Sequence, residues 1–498
     1  MMSETARSRA GRDEIFNKIN RFITLQKEHV EQTNPLLREV LNSIMEIMKN
    51  EDPLFKDVFQ EIMFAGSFYK GTRVGKPEEF DLDLILKLPV DYSKIKFEED
   101  RPGYARIKLP SDSFKPAWET HKKVLNKWIS NGDNCLNNDE LRRWFESVVT
   151  KSFSRMEKNT EGWSTLRIGD RSVKVKTKKS GPAFTLMVVY GSGKFDVDLV
   201  PVLEFKTRPK LVVFRRVPTG DKSWYLVPKP LKTGTNPELS WRFCFYVYEK
   251  ALLSTNGKIK TVIRQLKKLK DCQNWSSILA SYYIETLVYH ELIAGSLDLS
   301  RSSMSTLLLH MLKKLSEACD KHSIPYYWDT RNNLIAEKTS EQLLPIKKRM
   351  QKIIKDIEDN PEQAIDYFLK PEERQALAAA GPSPPTTPNS DDSWTDFGDS
   401  SPMLEAQLRI EEKLLINFLE PEIPEGPKNI QSMDQIAILT RTVATLTDEI
   451  KTLRSTFSGE IRDLKSTMKE QTEAMNEIIQ LLVRREMREV NLMSQSLL

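Results

Sequence analysis

The segment from Gly66 to Leu84 constrains the fold of this chain more than any other part of the sequence. Between Glu79 and Leu84 acidic and apolar residues alternate, which is the pattern of a β-strand with one polar face. Side chains two positions apart share a face, so the carboxylates of Glu79, Asp81 and Asp83 are expected to lie together and repel one another. They form either the solvated face of an edge strand or a site where a divalent cation such as Mg²⁺ relieves the repulsion.

Two further features favour the cation site. Gly66-Ser67 precedes the strand, and a glycine lets the backbone approach a phosphate that the serine hydroxyl and amide can hold. Far downstream, the alternating run Phe195–Pro201 predicts a second strand, which carries Asp196 and Asp198. A carboxylate on a neighbouring strand would complete a site for two metal ions that bridge a triphosphate.

This arrangement resembles the nucleotidyltransferase superfamily, and within it the cyclic GMP-AMP synthase and cyclic GMP-AMP synthase-like receptor family. In that family the third aspartate lies in a strand of the type found here at Val197–Glu204. The resemblance implies two sets of residues. The phosphate-binding residues are Gly66 and Ser67, and the catalytic residues, which would hold Mg²⁺ or Mn²⁺, are Glu79, Asp81 and Asp198. Asp83 and Asp196 are expected to be strand neighbours of this site.

Further motifs extend the resemblance in the same order over about residues 12–370. They are a WR…EK helix at Ser240–Lys250, an SSY-type helix start at Ala280–Tyr283 and a late segment at Tyr326–Leu334. The nucleotide contacts that these motifs imply are Arg242, Glu249, Lys267, Ser281 and Tyr282.

Several of these assignments have alternatives. Lys267 has basic neighbours, so its register is open by one turn, and Tyr282 and Ser281 could instead be a core residue and a helix N-cap. Relatives that make cyclic GMP-AMP carry small hydroxyl residues beside the bases. This chain has Val200, Cys244 and Tyr246 at those positions, so nucleotide choice and linkage cannot be inherited.

The net charge of +5 is unevenly distributed. Residues 206–270 hold 16 lysines and arginines against three acidic residues, which marks either a polyanion-binding surface or a solvated helix surface. The His/Cys zinc insertion of the vertebrate DNA sensor is missing after the WR…EK segment, so no zinc is expected. That pattern resembles the insect-type receptors and implies double-stranded RNA as the activator, recognised through its shape and phosphates.

Composition indicates a cytosolic or nuclear protein, and a cytoplasmic location is expected. No apolar run approaches the roughly 20 residues that span a bilayer, and the polar N-terminus does not resemble a signal peptide. The four cysteines are scattered and predict reduced thiols rather than a disulfide framework.

The predicted fold class is α+β: a nucleotidyltransferase core with a mixed, mostly antiparallel central sheet, an N-terminal spine helix and a helical C-lobe. The expected boundaries are spine helices over 1–50, the core over 51–235, the C-lobe over 236–370, an acidic, proline-rich disordered linker over 371–430 and a coiled coil over 431–486. The heptad pattern of the last segment predicts a homo-oligomer, or alternatively one amphipathic helix packed on the body.

The sequence therefore predicts a nucleic-acid-activated nucleotidyltransferase of innate immune sensing that makes a cyclic GMP-AMP-like dinucleotide from ATP and GTP. Three alternatives remain open. The first is an inactive scaffold with this fold, the second a synthetase of linear, oligoadenylate-type products, and the third an interaction protein that works through its coiled coil.

Overall fold

The computed structural model describes residues 4–379, apart from 26, 76–77, 131, 181–182, 192, 219, 221, 230, 232–233, 255–256 and 296–301. The described residues fall in one compact unit. The predicted coiled coil over 431–486, and the predicted linker from 380 onward, lie outside them. No helix in the described part of the chain is long and apolar enough to cross a membrane.

The strands are β1 (Phe59–Ala65), β2 (Glu79–Leu86), β3 (Lys96–Glu99), β4 (Tyr104–Lys108), β5 (Ser164–Ile168), β6 (Arg171–Ser180), β7 (Ala183–Tyr190), β8 (Gly193–Phe205), β9 (Trp224–Val227) and β10 (Trp241–Cys244). The helices are α1 (Glu4–Ile23), α2 (Lys27–Glu51), α3 (Pro53–Val58), α4 (Gly66–Tyr69), α5 (Pro116–Thr120), α6 (Lys122–Leu125), α7 (Asn138–Ser154), α8 (Tyr246–Ser254), α9 (Gly257–Cys272), α10 (Ser281–Ile293), α11 (Met304–Asp320), α12 (Ser340–Asp359), α13 (Gln363–Phe368) and α14 (Pro371–Ala379).

The long strand β8 organises a ten-stranded mixed sheet. Its first part pairs antiparallel with β7 and its last residues pair antiparallel with β9, while β2 runs parallel to it along the other edge. The remaining pairs in the described sheet are antiparallel, which confirms the predicted mixed, mostly antiparallel architecture. Three strands thus meet around Asp198.

The two N-terminal helices, α1 and α2, pack on different parts of the described chain. The ring of Phe16 on α1 lies 5.6 Å from that of Phe368 on α13, and the backbone oxygen of Phe16 accepts a hydrogen bond from Gln265 on α9 at 2.7 Å. Helix α2 packs on α7 and β5 instead. Helix α1 thus contacts later helices of the described chain, and α2 contacts α7 and the sheet.

Helix α2 runs through Pro35, although a proline usually ends or kinks a helix. A proline inside a helix removes one backbone hydrogen bond. Burial of the apolar face that follows it, Leu36, Leu37, Val40 and Leu41, offsets that loss. The break between the two helices lies earlier, after α1. There the hydroxyl of Thr24 donates a hydrogen bond to the backbone oxygen of Asn20 at 2.7 Å.

Two predicted boundaries also shift. The sheet continues past the expected core end at 235, because Trp241–Cys244 forms β10 between β9 and β4, and the predicted helix over Ser240–Lys250 begins only at Tyr246. The predicted linker starts with a helix, Pro371–Ala379, in which Glu373 accepts a hydrogen bond from the backbone of Lys370 at 2.8 Å. Proline at its first position and two glutamates in its first turn favour that helix.

The basic block over 206–270 does not form one exposed face. Lys260, Lys267, Lys268 and Lys270 of α9 are buried and Lys258 is partly buried. Among the described residues, the solvent-exposed cations of the block are Lys206, Arg208, Lys210, Arg215, Arg216 and Lys229. All four cysteines are free, in agreement with the predicted reduced thiols.

Candidate active site

A glycine-dependent turn brings the predicted phosphate-binding residues against the predicted metal ligands. Strand β1 ends at Ala65, which pairs with Asp81, and the chain turns through Gly66 with φ +75° into the short helix α4. A Cβ atom at Gly66 would lie 2.1 Å from Oδ2 of Asp81, so only glycine fits this close approach. Ser67 therefore lies one residue from a point of direct contact with Asp81.

The parallel pairing of β2 and β8 brings the distant aspartates together. Asp81 is the register partner of Asp198, and Glu79 is the partner of Asp196. Because paired residues and residues two apart share a face of a sheet, all four carboxylates lie on one face. The local pattern predicted the two strands, and the structure places them side by side.

The carboxylates perturb one another. The Asp81 side chain has an exposed surface, but the protein atoms around it remove part of its hydration. This desolvation raises the pKa of Asp81, and the charge of Asp198 adds to the rise. Burial, followed by the charge of Asp81, raises the pKa of Asp83 to about 7. Burial and the charge of Glu79 raise the pKa of Asp196. A bound cation would relieve the repulsion between these neighbouring carboxylates.

The third predicted ligand is engaged elsewhere. Oε2 of Glu79 accepts a hydrogen bond from the guanidinium of Arg73 at 3.3 Å. Among the described residues, no three His, Cys, Asp or Glu side chains lie close enough together to form a metal cluster. Asp81 and Asp198 fit a hard cation in residue type, register and mutual repulsion, and Glu79 would join them only by leaving Arg73.

The site contains a residue that the motifs did not reveal. Thr185 on β7 is the register partner of Asp198, and its buried hydroxyl donates to Oδ1 of Asp198 at 2.6 Å. This hydrogen bond fixes the orientation of the Asp198 carboxylate.

A buried network of four charged side chains lies behind the turn. The ammonium of Lys70, which directly follows α4, lies 2.7 Å from Oε2 of Glu249 on α8 and 3.0 Å from Oε2 of Glu285 on α10. The ammonium of Lys267 on α9 lies 2.7 Å from the other oxygen of Glu285 and 3.0 Å from the hydroxyl of Thr72. Two positive and two negative charges are thus paired, all at least 90% buried.

Three of the predicted nucleotide contacts belong to this network or touch it. Lys267, predicted to bind phosphate, is 5% exposed and donates to Glu285. The two oxygens of Glu249, predicted to contact a base, accept hydrogen bonds from Lys70 and from the hydroxyl of Tyr282 at 2.6 Å. In the structure as it stands, these side chains bind one another.

The remaining predicted contacts lie at the edge of the network. The guanidinium of Arg242 lies 5.7 Å from the ring centre of Tyr282, and Ser281 is the first residue of α10, after Ala280 at the N-cap. Ser281 is therefore not the N-cap.

Of the three positions beside the predicted bases, Val200 and Cys244 are partly buried, and the buried hydroxyl of Tyr246 has no hydrogen-bond partner among the described residues.

Glu285 should make the stability of the protein depend on acidity. Burial alone raises its pKa, but the ammonium groups of Lys70 and Lys267 outweigh burial and lower the pKa from 4.5 to about 2. A lowered folded-state pKa stabilises the protein above pH 4.5, and that stabilisation is lost as the pH falls towards 2. In urea unfolding, we expect the gap between wild type and Glu285→Gln to shrink by about 3 kcal/mol over this range. A gap independent of pH would contradict the ion pairing.

Comparison with known proteins decides the family. A family model described as the Mab-21 protein nucleotidyltransferase domain matches residues 68–255, and one described as the Mab-21 protein HhH/H2TH-like domain matches residues 258–352. A cyclic GMP-AMP synthase-like receptor of Microplitis demolitor is 42% identical over 450 residues, which cover 89% of this chain and 84% of the relative. The chain belongs to the cyclic GMP-AMP synthase-like receptor family.

Two more receptors of this family show how far the likeness extends. The Trichogramma pretiosum receptor is 35% identical over 73% of this chain and 77% of its own length. The cyclic GMP-AMP synthase-like receptor 2 of Drosophila melanogaster is 28% identical over 68% of this chain and 75% of its own length. The Microplitis match is longer than residues 12–370, so part of the tail is shared with that receptor, beyond the predicted extent of the resemblance.

Proposed function

We propose that this member of the cyclic GMP-AMP synthase-like receptor family is a nucleic-acid-activated synthase of innate immune sensing. Its product would be a cyclic GMP-AMP-like dinucleotide made from ATP and GTP. The pairing of Asp81 with Asp198 across parallel strands, directly against Gly66, carries this proposal. A triphosphate on the Gly66-Ser67 turn would lie beside two carboxylates that need a cation.

The chain's own residues suggest how the reaction proceeds. The Gly66-Ser67 backbone and the Ser67 hydroxyl hold the donor phosphates, and Asp198, oriented by Thr185, accepts the proton of the acceptor's ribose hydroxyl. The hydroxyl oxygen bonds to the α-phosphorus of the donor as the bond to pyrophosphate breaks. Mg²⁺ or Mn²⁺, held by Asp81, Asp198 and a released Glu79, would supply neutralisation of the triphosphate charge.

Double-stranded RNA is the proposed activator. The exposed cations over 206–216 offer phosphate contacts without base readout, as recognition of an RNA duplex requires. Release of Glu79 from Arg73 is the change in the site that activation would favour as a population shift. A cytoplasmic location and a homo-oligomer formed through residues 431–486 complete the proposal.

Product analysis tests the proposal directly. Purified protein is incubated with radiolabelled ATP and GTP, Mg²⁺ or Mn²⁺, and long duplex RNA, duplex DNA or neither, and then treated with phosphatase. We expect a phosphatase-resistant dinucleotide that requires RNA, and none from Glu79→Ala/Asp81→Ala. Phosphatase-sensitive linear oligomers would instead assign a linear synthetase.

The ion pair between Arg73 and Glu79 favours a second candidate, an inactive scaffold of the same fold. In a scaffold, the arginine would be the permanent counter-ion of the carboxylates. Absence of any product from folded protein with every nucleic acid would favour this function. Deletion of residues 430–498 then tests whether the tail carries the scaffold's interactions.

A further inference from the structure

One face of four neighbouring strands joins the acidic centre to a row of lysines. Lys178 on β6 pairs with Thr185 on β7, Thr185 pairs with Asp198 on β8, and Asp198 pairs with Asp81 on β2. Paired residues on adjacent strands lie on the same face. These four residues therefore form a line across the sheet, with a cation at one end and the candidate metal ligands at the other.

One neighbouring line on this face repeats the arrangement, with Lys176 on β6 at one end and Asp196 and Glu79 at the other. Strand β6 and the start of β8 contribute the cations of the face, which are Lys174, Lys176, Lys178 and Lys194. Lys174, Lys178 and Lys194 are exposed, and the side chains of Lys174 and Lys178 form no hydrogen bond or ion pair with another described residue. Lys176 is partly buried and donates to the backbone oxygen of Glu161 at 3.0 Å. Within the described part of the chain, Lys174 and Lys178 thus have no acidic partner that fixes their ammonium groups.

The basic and acidic halves are close enough to act on one substrate. Adjacent strands lie about 4.8 Å apart, so the backbone of Lys178 is about 10 Å from that of Asp198. A ligand between the halves would therefore meet a carboxylate at one end and ammonium groups at the other.

We propose that Lys178, with Lys174 and Lys194 beside it, binds the phosphate chain of the acceptor nucleotide. This inference rests on the proposed function, in which the donor triphosphate lies at the Gly66-Ser67 turn and the acceptor hydroxyl at Asp198. Because the donor occupies the β2 side of Asp198, the acceptor extends over Thr185 towards β6. Its hydroxyl oxygen bonds to the donor's α-phosphorus, its proton passes to Asp198, and its own phosphates remain intact on the lysines.

Calorimetry with a donor that cannot react tests the subsite apart from catalysis. The protein is saturated with α,β-methylene-ATP and titrated with GTP or with guanosine, and the roles of the two nucleotides are then exchanged. In at least one order we expect wild type to bind the triphosphate about tenfold more tightly than the nucleoside, as for one charge-assisted hydrogen bond. Lys178→Gln should lose this preference, and Lys178→Arg should keep it.

Lys179→Gln is the matched control, because Lys179 points to the opposite face and lies 2.7 Å from Glu146. It should bind GTP like wild type. A preference retained in Lys178→Gln, lost equally in Lys179→Gln, or absent from wild type in both orders would overturn the subsite. Product formation by wild type without analogues is measured in parallel, and a lack of product contradicts the proposed function without bearing on the binding result.

Discussion

Replacing Asp81 with asparagine should lower the rate of product formation about a thousandfold and raise the melting temperature of the protein. The rate should fall because a proposed metal ligand is lost. Stabilisation of transition-state charge by a metal would be worth several kcal/mol, and about 4 kcal/mol correspond to a thousandfold change in rate. Stability rises because desolvation and the charge of Asp198 disfavour the ionised Asp81 in the folded protein. Asparagine has almost the same shape and no charge.

Asp83→Asn is the comparison that separates the two effects. Asp83 lies on the same strand and face, and burial and the charge of Asp81 raise its pKa to about 7, but it is not a predicted ligand. Its replacement should also raise the melting temperature while most of the activity remains. Radiolabelled product formation and scanning calorimetry on both variants provide the measurements. Equal loss of activity in the two variants would mean that Asp81 has no special part in the chemistry.

The acidic site could be predicted because it depends on local alternation. Glu79 and Asp81 lie on one polar face of a strand whatever the strand pairs with, and the same holds for Asp198. The parallel pairing of β2 with β8, which brings the aspartates together, is a long-range contact that no local pattern specifies. In the sequence analysis, the placement of the two strands beside each other came from the family resemblance.

Thr185 could have been found from turn lengths. A short loop separates β7 from β8, and the pairing of Tyr190 with Gly193 fixes the register of the two strands. Counting back from that loop pairs Thr185 with Asp198. The same counting from the two-residue connection between β6 and β7 places Lys178 opposite Thr185.

The lysines of α9 show where such reasoning fails. A helix with Lys267, Lys268 and Lys270 reads as a solvated or nucleic-acid-binding surface, because isolated lysines are almost never buried. Each of these three is nevertheless buried against an oxygen partner from elsewhere in the chain or from the same helix end. Burial of charge depends on partners brought by tertiary structure, so the counted charge of a segment overstates its exposed charge.

The buried network should make Lys70 one of the most sensitive positions for stability. Its ammonium lies 2.7 Å from Glu249 and 3.0 Å from Glu285, and all three side chains are no more than 7% exposed. Although burial alone lowers the pKa of Lys70, the two carboxylates raise it well above its ordinary value. Lys70→Met leaves an unpaired negative charge in the interior, so we expect a loss of about 3–5 kcal/mol in the free energy of unfolding.

A double-mutant cycle identifies the origin of this loss. Lys70→Met/Glu249→Gln removes one charge of each sign and leaves the pair of Lys267 with Glu285 at 2.7 Å, so its cost should be clearly smaller than the sum of the single costs. The control is Lys122→Met, because its pair with Glu119 at 3.0 Å is 57% and 65% exposed and should contribute under about 1 kcal/mol. Additive costs in the cycle would contradict charge pairing as the source of the stability.

The backbone N–H of Lys70 also donates a hydrogen bond to the backbone oxygen of Gly66 at 3.2 Å. Lys70→Met should therefore loosen the Gly66-Ser67 turn and weaken nucleotide binding at temperatures where the variant is still folded.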